Sequence, residues 1–102
     1  MPSETLILKD DEKAIVNVAK ALASETRWAI LKLLTEKEYD ISRLATAMQQ
    51  TEANVSAQVK HLEKAKLITC RYEPGEHGVR KVCKAVVNEI IIKIAQKVEV
   101  EP

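Results

Sequence analysis

Residues 41–66 read ISRLATAMQQTEANVSAQVKHLEKAK. Ile41, Leu44, Ala45 and Met48 recur at helical spacing after Asp40, a residue that caps helix N-termini well. A second helical pattern, 52–65, starts behind Thr51 as its cap, with Glu52 in its first turn, and repeats Val55, Val59 and Leu62. Only Gln49 and Gln50 lie between Met48 and Thr51. Two helices joined by so short a turn must pack across each other, which predicts a helix-turn-helix over 41–66.

Working outward, residues 10–23 carry Ile15, Val18, Ala19 and Leu22 on one side and open with Asp10, Asp11 and Glu12, acids that suit the positive end of a helix dipole. Ser24 breaks that run and caps ETRWAILKLLTEK, where Trp28, Leu31 and Leu34 are in phase, flanked by Ile30 and Leu33. Beyond Lys66 the period changes. LITCRYE and VRKVCKAV favour strand and flank PGEHG, so residues 67–87 read as a hairpin. NEIIIKIAQKV then reads as a last helix, 88–98, with Asn88 as its cap and Ile90, Ile91, Ile94 and Val98 in one stripe. TLILK near the start fits either an extended arm or an extra turn of the first helix. The expectation is one α+β domain over 1–102, mainly α with a small β-hairpin, in the order ααααββα: a winged helix-turn-helix.

The composition agrees with a helix-rich globular chain: 46% hydrophobic and 30% charged, with two glycines and no phenylalanine. No run of about 18 uncharged apolar residues exists to span a membrane. MPSETLILKDDEK lacks the basic and apolar regions of a signal peptide, so the expected location is the cytoplasm. A formal net charge of +1 decides little, but its distribution is polar. Residues 58–84 hold seven Lys or Arg against three Glu, while residues 1–25 hold five acids against three lysines. A basic pole on a neutral chain fits an anionic partner at one surface. No Gly-rich phosphate loop, HExxH, CxxC or Ser–His–Asp or Cys–His set is present, so no enzyme and no cofactor is expected.

On a helical wheel Val55, Val59 and Leu62 lie within about 60° of one another. Opposite them sit Ala53, Ala57, Lys60 and Lys64, flanked by Asn54 and His61. Lys, Glu and Gln populate solvated helices anywhere; a tight turn before and a basic hairpin after make this a recognition helix for double-stranded DNA. Small residues such as Ala57 let the backbone approach base edges in the major groove. Asn54 and Gln58 can donate and accept at once, as bidentate contact with adenine requires. Thr51 and Ser56 can bind phosphate near the helix N-terminus, Lys60, His61 and Lys64 further along, and Arg43 from the preceding helix. Arg71, Arg80 and Lys81 of the hairpin are candidates for backbone or minor-groove contact, with Glu73 and Glu76 limiting them to positioning.

ALASETRWAILKLL, ISRLATAM, NVSAQVKHLEKAKLI and the basic hairpin together resemble the ArsR-type (arsenic-repressor-like) winged-helix regulators over about residues 19–86, a pattern MarR-type regulators share in part. The resemblance implies a DNA-binding transcriptional regulator, a repressor by expectation. The departures are specific: members often have His, Leu and Gly where Gln58, Val59 and Lys66 stand. Lys66 would then adopt a left-handed helix-end conformation at a cost of about 1 kcal/mol, or the helix must end differently. Members that sense metals place paired cysteines on the third helix or His and acidic ligands on the last one. ISRLATAM has no cysteine, and the chain's histidines are His61 and His77, so no metal site is expected.

One recognition helix reads few base pairs, so a homodimer is expected. Its candidate interface is Ile15, Val18 and Leu22 of the first helix with Ile90, Ile91, Ile94 and Val98 of the last, as the first and last helices pair in the resembled family. Pairing the hairpin about the middle of PGEHG sets Cys70 opposite Cys83, within reach of a cross-strand disulfide. Two reduced cysteines are the default in a mesophile's cytoplasm, a disulfide being at home in a hyperthermophile. The competing functional reading is a winged helix that docks protein without specific DNA binding.

Overall fold

Four side chains start the four helices. Asp11 accepts the Ala14 N–H at 3.0 Å, Ser24 that of Arg27 at 3.2 Å, Asp40 that of Arg43 at 2.7 Å and Thr51 that of Asn54 at 3.1 Å. Each satisfies an N–H that a first helical turn leaves without a partner. The computed structural model describes residues 4–95. In chain order the elements are β1 (Thr5–Leu8), α1 (Glu12–Leu22), α2 (Glu25–Glu36), β2 (Tyr39–Asp40), α3 (Ile41–Met48), α4 (Glu52–Lys64), β3 (Ile68–Gly75), β4 (Gly78–Ala85) and β5 (Glu89–Ile92). No helix among the described residues is long and apolar enough to cross a membrane.

The core is built largely from the predicted stripes, although in α1 Ala21 is buried and Ala19, expected inside, is exposed. Val18 and Ala21 of α1, Ile30, Leu31 and Leu34 of α2, Leu44 and Ala45 of α3, and Val55, Val59 and Leu62 of α4 are all buried, closed from the sheet side by Leu67, Ile68, Cys83 and Ala85. Trp28 departs from expectation and is 47% exposed. It lies roughly 110° around α2 from the centre of the Ile30–Leu31–Leu34 stripe, so the three aliphatics take the inside and the indole is left at the edge.

The wing keeps the predicted register. β3 and β4 pair antiparallel with Cys70 opposite Cys83, Arg71 opposite Val82 and Tyr72 opposite Lys81, and the turn is the two residues Glu76–His77 between Gly75 and Gly78. β2 adds to the other edge of β4, giving the order β2-β4-β3. Gly78, at φ +112°, holds a conformation that other residues rarely adopt.

Both helices of the helix-turn-helix end in the same left-handed device. Gln49 has φ +56° and Lys66 φ +61°. After α3, Gln50 N–H reaches Ala45 O at 3.0 Å and Gln49 N–H reaches Thr46 O at 3.2 Å; after α4, Leu67 N–H reaches Leu62 O at 3.1 Å and Lys66 N–H reaches Glu63 O at 2.9 Å. The second is a Schellman motif completed by the buried Leu62 and Leu67 side chains. Of the two alternatives for Lys66, the left-handed helix end is the one the chain adopts.

The last segment corrects the sequence reading. Asn88 does not cap a helix, and the described part of the predicted one, residues 88–95, is not helical; Glu89–Ile92 is a strand, parallel to β1, with Thr5 opposite Glu89, Leu6 opposite Ile90, Ile7 opposite Ile91 and Leu8 opposite Ile92. Asn88 N–H to Glu4 O (3.0 Å) and Lys93 N–H to Leu8 O (2.8 Å) extend the ladder at both ends. Three consecutive β-branched isoleucines favour a strand once an extended partner exists, and TLIL is that partner. The order is thus βααβααβββ, still an α+β winged helix; Val98 lies outside the described residues.

Candidate nucleic-acid interface

Val55, Val59 and Leu62 are fully buried, which turns the opposite side of α4 to solvent. Thr51, Ala57, Lys60, His61 and Lys64 are exposed there, with Asn54, Ser56 and Gln58 half-buried along the shoulder. Arg43 is exposed on α3, next to Asp40, whose side chain caps that helix through the Arg43 N–H. Among the described residues Arg43, Lys60 and Lys64 belong to no ion pair, so their charges face solvent uncompensated.

The amides of α4 are not free. Gln58 Nε2 donates to Asn54 Oδ1 at 3.1 Å, and Asn54 Nδ2 donates to Gln50 Oε1 at 2.8 Å. At the other end Arg27 Nη1 donates to Gln58 Oε1 at 2.8 Å. Arg27 also grips the end of α1, giving Nε to Ala21 O at 3.0 Å and Nη2 to Lys20 O at 2.7 Å. Sequence reading missed Arg27 and Gln50. The signal was nonetheless there: with only Ala23 and Ser24 between the helices, an arginine in the first turn of α2 sits beside the carbonyls that end α1, which have acceptor capacity to spare.

The wing's three candidates are held by acids. Arg71 donates to Glu38 through both terminal nitrogens, Nη1 and Nη2, and to Glu73 through Nε at 3.1 Å. Arg80 joins Glu73 to Asp40, the latter at 3.1 Å, and Lys81 Nζ lies 2.5 Å from Glu63. Hydrogen bonding to Arg71 holds the Glu38 carboxyl below its ordinary range, and Arg80 does the same for Glu73; both arginines are shifted up in return. Two arginines among Glu38, Asp40 and Glu73 leave this corner without net positive charge. The three cations differ in their freedom to change partner. Arg71 and Glu38 are about half exposed, the setting in which an ion pair is weakly held. Asp40 keeps only 10% of its side chain accessible, so Arg80 fastens the wing to the start of α3.

The apolar candidates are also divided. Val18 is 1% exposed, packed inside its own domain and unavailable to another chain. Ile15, Leu22 and Ile90 are half-buried against the core, while Ile91, 39% exposed, pairs with the exposed Ile7 on the outer face of the β1–β5 pair, and Ile94, beyond the end of β5, is 94% exposed. Cys70 and Cys83 are linked as a disulfide across β3 and β4. Among the described residues no cluster of three or more His, Cys, Asp or Glu is placed to hold a metal ion.

The family model described as bacterial regulatory protein, arsR family, matches residues 24–69, from the cap of α2 into β3. The chain is 30% identical to a possible transcriptional regulatory protein (fragment 1-100) from Mycobacterium bovis, covering 72% of this chain and 75% of that one with a TM-score of 0.66. A solution structure of a homodimeric winged helix-turn-helix DNA-binding domain from the same organism, a possible ArsR-family transcriptional regulator, is 28% identical with a TM-score of 0.64, over 76% and 73% of the two chains. HlyU from Vibrio cholerae, at 20% identity and a TM-score of 0.64 over 76% and 80%, shares the fold. No curated protein matches the chain. A capped, sharply turned helix pair, a paired wing and these similarities converge: the chain belongs to the ArsR family of winged helix-turn-helix transcriptional regulators, with its two cysteines joined in the wing.

Proposed function

We propose that the protein is a sequence-specific regulator that binds double-stranded DNA as a homodimer and represses by occupying its site. In this reading α4 enters the major groove. Asn54 and the close backbone at Ala57 meet base edges, Gln58 orients Asn54 through the bond to its Oδ1, and Thr51, Ser56, Lys60, His61, Lys64 and Arg43 meet phosphates. The observation that carries it is the orientation of α4: its apolar side is wholly buried, and its uncompensated lysines and small residues face outward. A homodimeric relative of similar fold supports the dimer. We assign its contact to the outer face of the β1–β5 pair, where Ile7 and Ile91 are exposed, together with Ile94 just beyond β5, with Ile15, Leu22 and Ile90 behind it.

Within the wing, Arg71 is the cation suited to reach phosphate, because its side chain is the most exposed of the three, 50% against 38% for Arg80 and 14% for Lys81. The pairing of Arg80 and Lys81 with acids favours the competing reading, a module that docks protein. A mobility-shift assay with fragments of the source genome separates the two. Specific retardation that weakens steeply with salt is expected. No retarded fragment at low salt would leave the docking reading in its place.

A further inference from the structure

We propose that Arg27 is a positioning residue that fixes the donor and acceptor order of the amides α4 turns toward DNA, and so the bases they select. This rests on the DNA-binding reading above. An arginine side chain offers only donors. Bound to Arg27 Nη1, Gln58 must present its carbonyl oxygen there and its NH2 to Asn54; Asn54 then accepts on Oδ1 and must turn its own NH2 to Gln50, which accepts on Oε1. The polarity runs one way along three amides because its first member cannot be reversed. Arg27 cannot swing away without also releasing the Lys20 and Ala21 carbonyls at the end of α1.

The consequence lies at the exposed end. Asn54 keeps one N–H and one oxygen lone pair, enough for a bidentate contact with adenine. Gln50 is left with a free NH2, so it faces DNA as a donor and favours a base edge rich in acceptors, such as the N7 and O6 of guanine. A single change at the buried end should reverse this. In Gln58→Glu the new carboxylate still accepts from Arg27 but has no proton for Asn54. Asn54 must rotate to donate to the carboxylate and offer its oxygen to Gln50, and Gln50 in turn rotates and exposes its oxygen. The selected base at that position should change from one presenting acceptors to one presenting a donor, such as cytosine N4.

The test is selection from a random duplex library with intact wild-type protein, Gln58→Glu and Gln58→Met, each first checked for an unchanged circular dichroism spectrum and melting cooperativity. Neither substitution removes a backbone cap, so both variants should fold. Gln58→Glu should enrich a motif altered at one position per half-site, with discrimination there reversed by about fivefold or more. Gln58→Met, with no polarity to transmit, should lose discrimination at that position. Identical motifs for all three proteins, or uniform weakening without a change in base preference, would reduce Arg27 to a structural tie and overturn the proposal. Wild-type protein that enriches no motif would instead sink the DNA-binding reading, and this proposal with it.

Discussion

Reducing the Cys70–Cys83 disulfide is the perturbation whose size follows most directly from the fold. The bridge closes a loop of sequence separation 13, and the chain-entropy relation gives about 3 kcal/mol for a loop of that length at 25 °C. Two features adjust that number. Cys83 is fully buried in the core and would remain there as a small apolar thiol, so reduction need not open the interior. β3 and β4 are also joined by a tight two-residue turn, so the reduced unfolded chain retains some hairpin and the entropic gain shrinks. About 2–3 kcal/mol of lost stability is therefore expected, equivalent to a fall in melting temperature on the order of 10–20 °C for a domain of this size. Urea denaturation with and without reductant measures it. The reduced protein should unfold at lower urea with a slightly larger m, because its denatured state is less constrained. Coincident curves would refute the entropic argument. Two titratable thiols per untreated chain, unfolded without reductant, would refute the bridge itself.

Three further expectations follow from the same contacts. Lys66→Gly should stabilise the protein by about 0.5–1 kcal/mol, read as a higher urea midpoint with unchanged m, since the left-handed conformation at the end of α4 suits glycine better than lysine. Lys60→Ala should weaken binding to all duplexes alike and shallow the salt dependence by about one counterion, whereas Arg80→Ala should leave that slope unchanged and lower the urea midpoint, because Arg80 is engaged with Asp40 and Glu73. Stability should also fall on acidification. The carboxyls of Glu38 and Glu73 are held down by hydrogen bonds from Arg71 and Arg80, so their contribution is complete above the unfolded carboxylate pKa and is lost as pH drops through the lower folded one. Glu73→Gln, followed by urea midpoints from neutral pH downward, should flatten that acid limb.

Elements whose signals are local were legible in the residues. Three caps (Ser24, Asp40 and Thr51), two apolar stripes separated by Gln49–Gln50, and a glycine-bounded turn define the helix-turn-helix and the wing, and the pairing of Cys70 with Cys83 followed from counting outward from that turn. These depend on neighbours within a few positions, where propensity and hydrogen bonding act along the chain itself. What the tertiary structure alone decided is of longer range. Residues 89–92 show a stripe compatible with a helix, yet they pair with a strand some eighty residues earlier, and no local pattern announces a partner at that distance. The charges of Arg71, Arg80 and Lys81 look available in sequence, but folding brings Glu38, Asp40, Glu63 and Glu73 against them. Gln58 reads as a free amide until α1, α2 and α4 meet and Arg27 reaches it. Local order fixes where a helix begins and which side it buries; only the packed chain fixes which polar groups remain free to meet a partner.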